Sequence, residues 1–254
     1  FEKTQDSNLF LENSLQWLPD GKSWLVAGNL IDRELGIVLL AFKHTGTAHV
    51  KFYVHDQNWI IARLSNKPTE LTKVSIPWED INRSRDAIVQ KVPAYLAPYS
   101  KVDVRVKIDT IRGPADSAHQ TIVDGLSKRL ARDGIQVQNG ASNYFVLRFS
   151  EEKGESLPIY ERQSRFDRRG TDTGRTAIEA RGALIVEFYG EGLAKPLWRA
   201  ALRAQSARNF REAINDASIR KSMLSHLKHE LEIMKLPYFI PKDDKLLALP
   251  IIIE

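Results

Sequence analysis

From Val102 to Asp109 hydrophobic and polar positions alternate without a break: Val102, Val104, Val106 and Ile108 against Asp103, Arg105, Lys107 and Asp109. Period two predicts a strand with one face in a core and the other in water. After Gly113 and Pro114 the period changes. Ala118, Ile122, Leu126 and Leu130 recur every fourth residue and form one stripe of an amphipathic helix. Asp116 in its first turn and Lys128, Arg129 and Arg132 in its last oppose the helix-end dipole, and Gly134 offers the left-handed stop. Gly125 inside this helix costs about 1 kcal/mol relative to alanine and leaves room for close packing against a neighbour. Phe145, Leu147 and Phe149, alternating with Tyr144, Val146 and Arg148, predict a second strand beside the first.

The flanking sequence extends the pattern on both sides. Upstream, Trp24 to Ala27, Gly36 to Phe42, Val50 to Val54 and Trp59 to Leu64 read as short strands of a meander. A helix is expected from Glu79 to about Lys91, ended by Pro93 and Pro98. Downstream, Glu151 to about Gly174 is polar without a clean period and reads as an exposed loop or hairpin tip. Strands follow at Ala183 to Tyr189 and Leu197 to Gln205, then a helix from Asp216 to about Lys235 carrying Ile219, Met223, Leu227, Leu231 and Met234. The tail ends in Ile251, Ile252 and Ile253, too apolar to be left in water, and is expected to pack back as an extended segment or short strand.

Together these elements predict an α+β protein. A β-rich N-terminal segment occupies residues 1–98, with a linker helix at 79–92. An α/β two-layer sandwich occupies 99–254, with a mixed sheet, two main helices and an exposed insertion at 151–174.

Composition narrows the function classes. The chain has 254 residues, of which 43% are hydrophobic, with five tryptophans, enough for one large core or two modest ones. No apolar run approaches the roughly 20 residues that cross a bilayer as a helix. There is no cysteine, which removes disulfides, thiolate metal sites and cysteine nucleophiles together. A formal charge of +5 spread over the whole length is a weak lure for anions and does not by itself favour nucleic acid. The chain starts at Phe1 with no signal-like hydrophobic segment, as expected of a processed product or an excised piece.

No catalytic residue can be named. Gly-x-Ser-x-Gly and a Gly-x-x-x-x-Gly-Lys phosphate loop are both absent, so no cofactor is expected. His226 and His229 are three apart on one helix, close enough to share a metal ion, but they are not a His-Glu-x-x-His pair and lack a nameable third ligand. No metal site is assigned. His44, His49 and His55 lie near presumed strands without a nucleophile or orienting carboxylate to complete a set.

Alternation does assemble one constellation. If the helices cover one face of the second domain's sheet, Arg105, Lys107, Arg148, Arg199 and Arg203 all fall on the other. Arg165, Arg168 and Arg169 from the insertion, with Arg175, could extend that surface. Arginine forks suit carboxylate and phosphate. The competing expectation is a solvated, salt-bridged face, since Asp103, Asp109, Glu179 and Glu187 interleave with these cations. For RNA the stacking aromatics are few, only Tyr144 and Tyr189.

Two stretches resemble known families. Trp17-Leu18-Pro19-Asp20-Gly21-Lys22 resembles the Trp-x-Pro-Asp-Gly-Lys turn of β-propeller blades of the WD-repeat and TolB-like classes, and Leu30 to Gly36 resembles the strand and turn that finish such a blade. The second half, with Leu126 to Leu130, Arg132-Asp133-Gly134-Ile135-Gln136-Val137, Ala141, Tyr144 to Phe149 and Trp198, resembles small α/β modules of bacterial envelope lipoproteins, LptE-like or TolB amino-terminal-domain-like. Leu236-Pro237-Tyr238-Phe239-Ile240-Pro241 and Leu249-Pro250 resemble the tails of planctomycete-type proteins of unknown function, some with propeller repeats. These resemblances imply a binding or scaffolding part without catalytic residues, set in a bacterial cell envelope or periplasm. The lipid-bearing cysteine of such lipoproteins is missing.

The expected function is therefore a non-enzymatic interaction or assembly module of a larger bacterial complex. Its expected partners are other protein subunits, with membrane contact only through an anchor or partner outside this chain. The alternatives are a metal-dependent hydrolase using His226 and His229, and a weak nucleic-acid or anion-binding domain.

Overall fold

The computed structural model describes residues 15–18, 20–42, 49–55, 58–64, 70–110, 115–161, 171–206 and 216–253. The first half runs β1 (Gln16–Trp17), β2 (Ser23–Val26), β3 (Asn29–Asp32), β4 (Val38–Phe42), β5 (His49–His55), β6 (Asn58–Leu64), β7 (Glu70–Ser75), α1 (Trp78–Val89) and β8 (Ala94–Leu96). The second half runs β9 (Lys101–Thr110), α2 (Ala115–Arg132), β10 (Gln136–Val137), β11 (Tyr144–Glu161), β12 (Thr171–Tyr189), β13 (Trp198–Gln205), α3 (Asp216–Ile233), β14 (Ile240–Pro241) and β15 (Ile251–Ile253). The fold is α+β with a mixed sheet in a sandwich.

The chain divides into two compact units, residues 1–98 with 235–254, and residues 99–234. The last twenty residues thus belong to the first unit, whereas the sequence expectation ran the second domain to 254. The reason is strand pairing: β15 adds in parallel to β4, Ile251 opposite Leu40 and Ile253 opposite Phe42, and β14 pairs with β8.

In the first unit β1, β2, β3 and β4 form an antiparallel meander that β15 extends. Its turns follow local chemistry. Asp20 accepts the backbone N–H groups of Lys22 and Ser23, and Gly21 takes a positive φ of 64° that a β-carbon would strain. Leu25, Leu30, Leu39 and Leu40 are buried. β5, β6 and β7 make a separate antiparallel sheet. Helix α1 buries Ile81, Ala87 and Ile88.

The second unit is a five-stranded sheet in the order β10-β9-β11-β12-β13. The β9 to β11 and β9 to β10 pairs are parallel, the rest antiparallel. Parallel pairing needs a crossover, and α2 supplies it. Its stripe Ala118, Ile122, Leu126 and Leu130 is buried, as are Ile219, Met223, Leu227 and Leu231 of α3 and Phe145, Leu147, Phe149, Leu184, Val186 and Phe188 of the sheet. The helix stop is as expected: Gly134 has φ 70°, its N–H donates to the Ala131 carbonyl, and the Ile135 N–H donates to the Leu130 carbonyl.

Of the two expectations for 151–174, a loop or a hairpin tip, the described residues show the hairpin. The segment 151–174, expected as an exposed insertion, is in its described part a continuation of β11 and β12, which stay paired from Tyr144 opposite Tyr189 out to Glu161 opposite Thr171. The register shifts between Lys153 and Ser156 and again between Pro158 and Tyr160. Two arms that satisfy each other's backbone groups need no apolar face to stay extended, so the period-two signal that marks a strand on a core is missing. Residues 162–170, including Arg165, Arg168 and Arg169, lie outside the described residues.

Candidate functional site

Because α2 and α3 pack on the odd-numbered side of β11 and the even-numbered side of β12, the odd-numbered side of β9, β12 and β13 with the even-numbered side of β11 forms the open face. Cross-strand register sets its rungs. On one rung Arg105, Val146, Glu187 and Arg199 stand side by side. On the next stand Lys107, Arg148, Ile185 and Ala201. Beyond it Ser150, Ala183 and Arg203 follow. The five cations that alternation predicts for this face are therefore brought together on it.

Three of the five are held by carboxylates. Arg105 Nε donates to Asp103 Oδ2 at 2.9 Å, and its guanidinium carbon lies 3.8 Å from the centroid of the Tyr144 ring, a cation–π contact. Glu187 is shared: Arg148 Nε lies 3.4 Å from Oε2 and Arg199 Nε 3.6 Å from Oε1. The Tyr189 hydroxyl also donates to Glu187 Oε2, at 3.2 Å. Both arginine contacts are long, and the side chains stay 41% and 61% exposed. Such contacts hold an exposed guanidinium only weakly. Lys107 and Arg203 are exposed, and neither has an ion pair among the described residues. The face is thus part salt-bridged network, as its interleaved acids suggest, and part unpaired cation.

The two tyrosines stack on one another. Their rings lie on each other, 5.2 Å between centroids and 8° between planes, and Arg105 covers the outer side of Tyr144. Stacking a base on Tyr144 would mean displacing Arg105 or Tyr189. Burial pushes the Tyr189 hydroxyl above its ordinary pKa, and the negative charge of Glu187 beside it pushes the same way, with Arg148 opposing.

His226 has partners on its own helix and on β13. His226 Nδ1 lies 3.1 Å from the Gln205 carbonyl oxygen and 3.3 Å from its nitrogen, acting as donor or acceptor according to tautomer, and Nε2 lies 3.4 Å from Glu230 Oε1. Among the described residues no three His, Asp or Glu side chains gather as a metal set requires. His44 and the side chains of His49, His55 and Arg175 lie outside the described residues.

Sequence reasoning missed several buried charges. Glu151 on β11 is 4% exposed and accepts from Arg220 Nε at 2.8 Å, while Arg220 Nη1 donates to Ser117 Oγ. Glu179 is 1% exposed and holds Arg181 at 2.8 Å; a β-carbon on Gly154 would lie 2.6 Å from the Glu179 side chain. In the first unit Asp32 at the end of β3 pairs with Arg85 of α1. The signal available in the sequence was that Gly154 interrupts a charged strand where only a close approach explains it.

No helix among the described residues is long and apolar enough to cross a membrane. No family model matches the chain, and no curated protein does. Weak structural neighbours are bacterial lipoproteins and an uncharacterised protein. A minor lipoprotein from Acinetobacter baumannii is 12% identical, with a TM-score of 0.32, the match covering 53% of this chain and 90% of that one. A hypothetical protein from Chlamydia trachomatis is 9% identical, with a TM-score of 0.31, covering 52% and 88%. Rare lipoprotein B from Shewanella oneidensis is 14% identical, with a TM-score of 0.23, covering 51% and 85%. The planctomycete and propeller resemblances find no support among these, and likenesses at this level carry no argument about what the chain does.

Proposed function

We propose that this chain is a non-enzymatic interaction module of a larger bacterial assembly, set in the cell envelope, and that it docks another protein subunit through the open face of the second unit's sheet. One observation carries the reading. A sheet that buries its far side against two helices leaves its near side exposed, and that side bears Lys107 and Arg203 without ion pairs among the described residues and Arg148 and Arg199 in long ion pairs that leave them 41% and 61% exposed. Arginine-rich surface with small apolar residues between is the composition of a docking face more than of a catalytic cleft.

The test is a photo-crosslinking amino acid placed at Ala201, exposed on that face, with a control at Asp124, exposed on α2. In the source bacterium the reading expects one discrete protein adduct from position 201, none from 124, and loss of the adduct when Lys107→Glu and Arg203→Glu are added. An adduct from both positions, or one indifferent to the charge reversals, overturns it.

A further inference from the structure

We infer that the occupant of this face is an acidic amphipathic helix laid diagonally across the strands, with two carboxylates three turns apart meeting Lys107 and Arg203. The inference rests on the protein-docking reading above and adds the shape of the partner.

The geometry comes from the register. Lys107 on β9 and Arg203 on β13 are separated by three strand spacings, because Lys107 opposes Arg148, Arg148 opposes Ile185 and Ile185 opposes Ala201, two residues before Arg203. Spacings of about 4.8 Å across and about 3.4 Å per residue along the strand put the two backbone positions about 16 Å apart on the diagonal. Between them the bed is low on the rung of Arg203, since Ser150 and Ala183 are small, while Arg148, the half-buried Ile185 and the small Ala201 share the rung of Lys107. One long side of the bed is raised by Arg148 and Arg199, which pair with Glu187.

Chain geometry then selects the occupant. An extended segment covers about 16 Å in five residues, and an odd separation points its two carboxylates to opposite sides, so only one could reach the face. A helix covers the same distance in eleven residues, which is three turns to within about 20°, so both carboxylates share a side. Small residues beneath let a helix backbone approach closely, and a helix on this side would complete a helix–sheet–helix layering on a sheet that already carries α2 and α3 on the other. Lys107 and Arg203 are the anchors because the remaining cations of the face already have carboxylates.

The test uses the full chain and a synthetic helical peptide of about 20 residues with two glutamates eleven apart and alanine and leucine between them on the same side, followed by fluorescence polarisation at low salt. The inference expects saturable binding and at least a tenfold loss for Lys107→Glu/Arg203→Glu. It also expects recovery when the two peptide glutamates become lysines. Far-UV circular dichroism and the melting temperature of the double variant should match the parent, since both positions are exposed. Four outcomes overturn the inference: no binding, equal binding of a proline-broken peptide of the same composition, equal binding of a peptide with the glutamates five apart, or preferential capture of anionic vesicles or single-stranded DNA through the same two residues. A protein adduct from position 201 with no helix binding would also overturn it, while leaving the docking reading in place.

Discussion

A β-carbon added to Gly125 of α2 would lie 3.1 Å from the β-carbon of Leu231 on α3 and 3.2 Å from its Cδ1. The glycine that costs α2 helix propensity is a point of close contact between the two helices of the second unit. Gly125→Val forces them apart in a core where Leu126 and Leu231 are fully buried. It should lower the unfolding free energy by about 2 kcal/mol, the usual range for over-packing. Chemical denaturation measures it. Adding Leu231→Ala should recover part of the loss, so that the double variant is more stable than the sum of the singles; strict additivity would mean that the contact is not what couples the helices.

Asp32 and Arg85 give the first unit a comparable lock. The Arg85 guanidinium meets Asp32 Oδ2, and Asp32 Oδ1 accepts the backbone N–H groups of Glu34 and Leu35 in the turn that follows β3. The carboxylate is fully buried and the arginine nearly so. Arg85→Ala leaves that carboxylate without its cation and should cost about 3–5 kcal/mol. Asp32→Leu combined with Arg85→Met removes both charges and should cost less than Arg85→Ala alone, offset by the loss of the turn bonds at Oδ1. Urea midpoints of the three variants decide the order.

Sequence period carried the second unit a long way, for a definite reason. Val102 to Ile108 and Phe145 to Phe149 each border a core on one side only, so burial writes itself into the text at period two, and the stripe Ala118 to Leu130 does the same for α2. The outer hairpin was legible only as an alternative to a loop, because its arms satisfy each other, and Glu151, Lys153 and Glu155 show no apolar alternation to read. Glu151 with Arg220 was equally hidden, since 69 residues separate them and either charge alone reads as surface. Ile251 to Ile253 were visibly apolar, but their partner β4 lies about 200 residues earlier, and nothing local names it. On the candidate face, alternation chose the side for Arg105, Lys107, Arg148, Arg199 and Arg203, while the sharing of Glu187 by two arginines and a tyrosine depends on side-chain reach that no period encodes.

That sharing predicts a titration. The Tyr189 hydroxyl sits above its ordinary pKa through burial first and through the charge and hydrogen bond of Glu187 second. Glu187→Gln removes the second contribution and keeps the first, so Tyr189 should ionise at lower pH than in the parent, though still above a free tyrosine. Ultraviolet difference absorbance near the phenolate band, with Tyr189→Phe as the assignment control, reads the shift. Stability should change little, within about 1 kcal/mol, because Arg148 and Arg199 are largely exposed. An unchanged Tyr189 titration would show that the hydroxyl does not depend on this carboxylate.

The junction of α2 and α3 carries two carboxylates whose titrations oppose one another. Lys128 donates to both oxygens of Glu232, at 3.1 and 3.2 Å, and this bond holds the Glu232 pKa below its ordinary value despite some desolvation. A depressed folded pKa means that the contribution of Glu232 is present above its unfolded pKa and is lost as pH falls through the folded one. Asp133 behaves the other way. Burial raises its pKa more than Arg129, 2.6 Å away, lowers it. Its ionised form is therefore less favoured in the fold than in the unfolded chain, and stability is lost as pH rises through the folded pKa. Lys128→Met should flatten the acid limb of the stability curve between about pH 5 and about pH 3, where carboxylates take up protons. Asp133→Asn should gain on the parent as pH rises from about 3 to about 6, since it carries no charge to desolvate. Melting temperatures of the parent and both variants across that range check the two signs separately, and parallel curves for Asp133→Asn and the parent would show that burial does not dominate at Asp133.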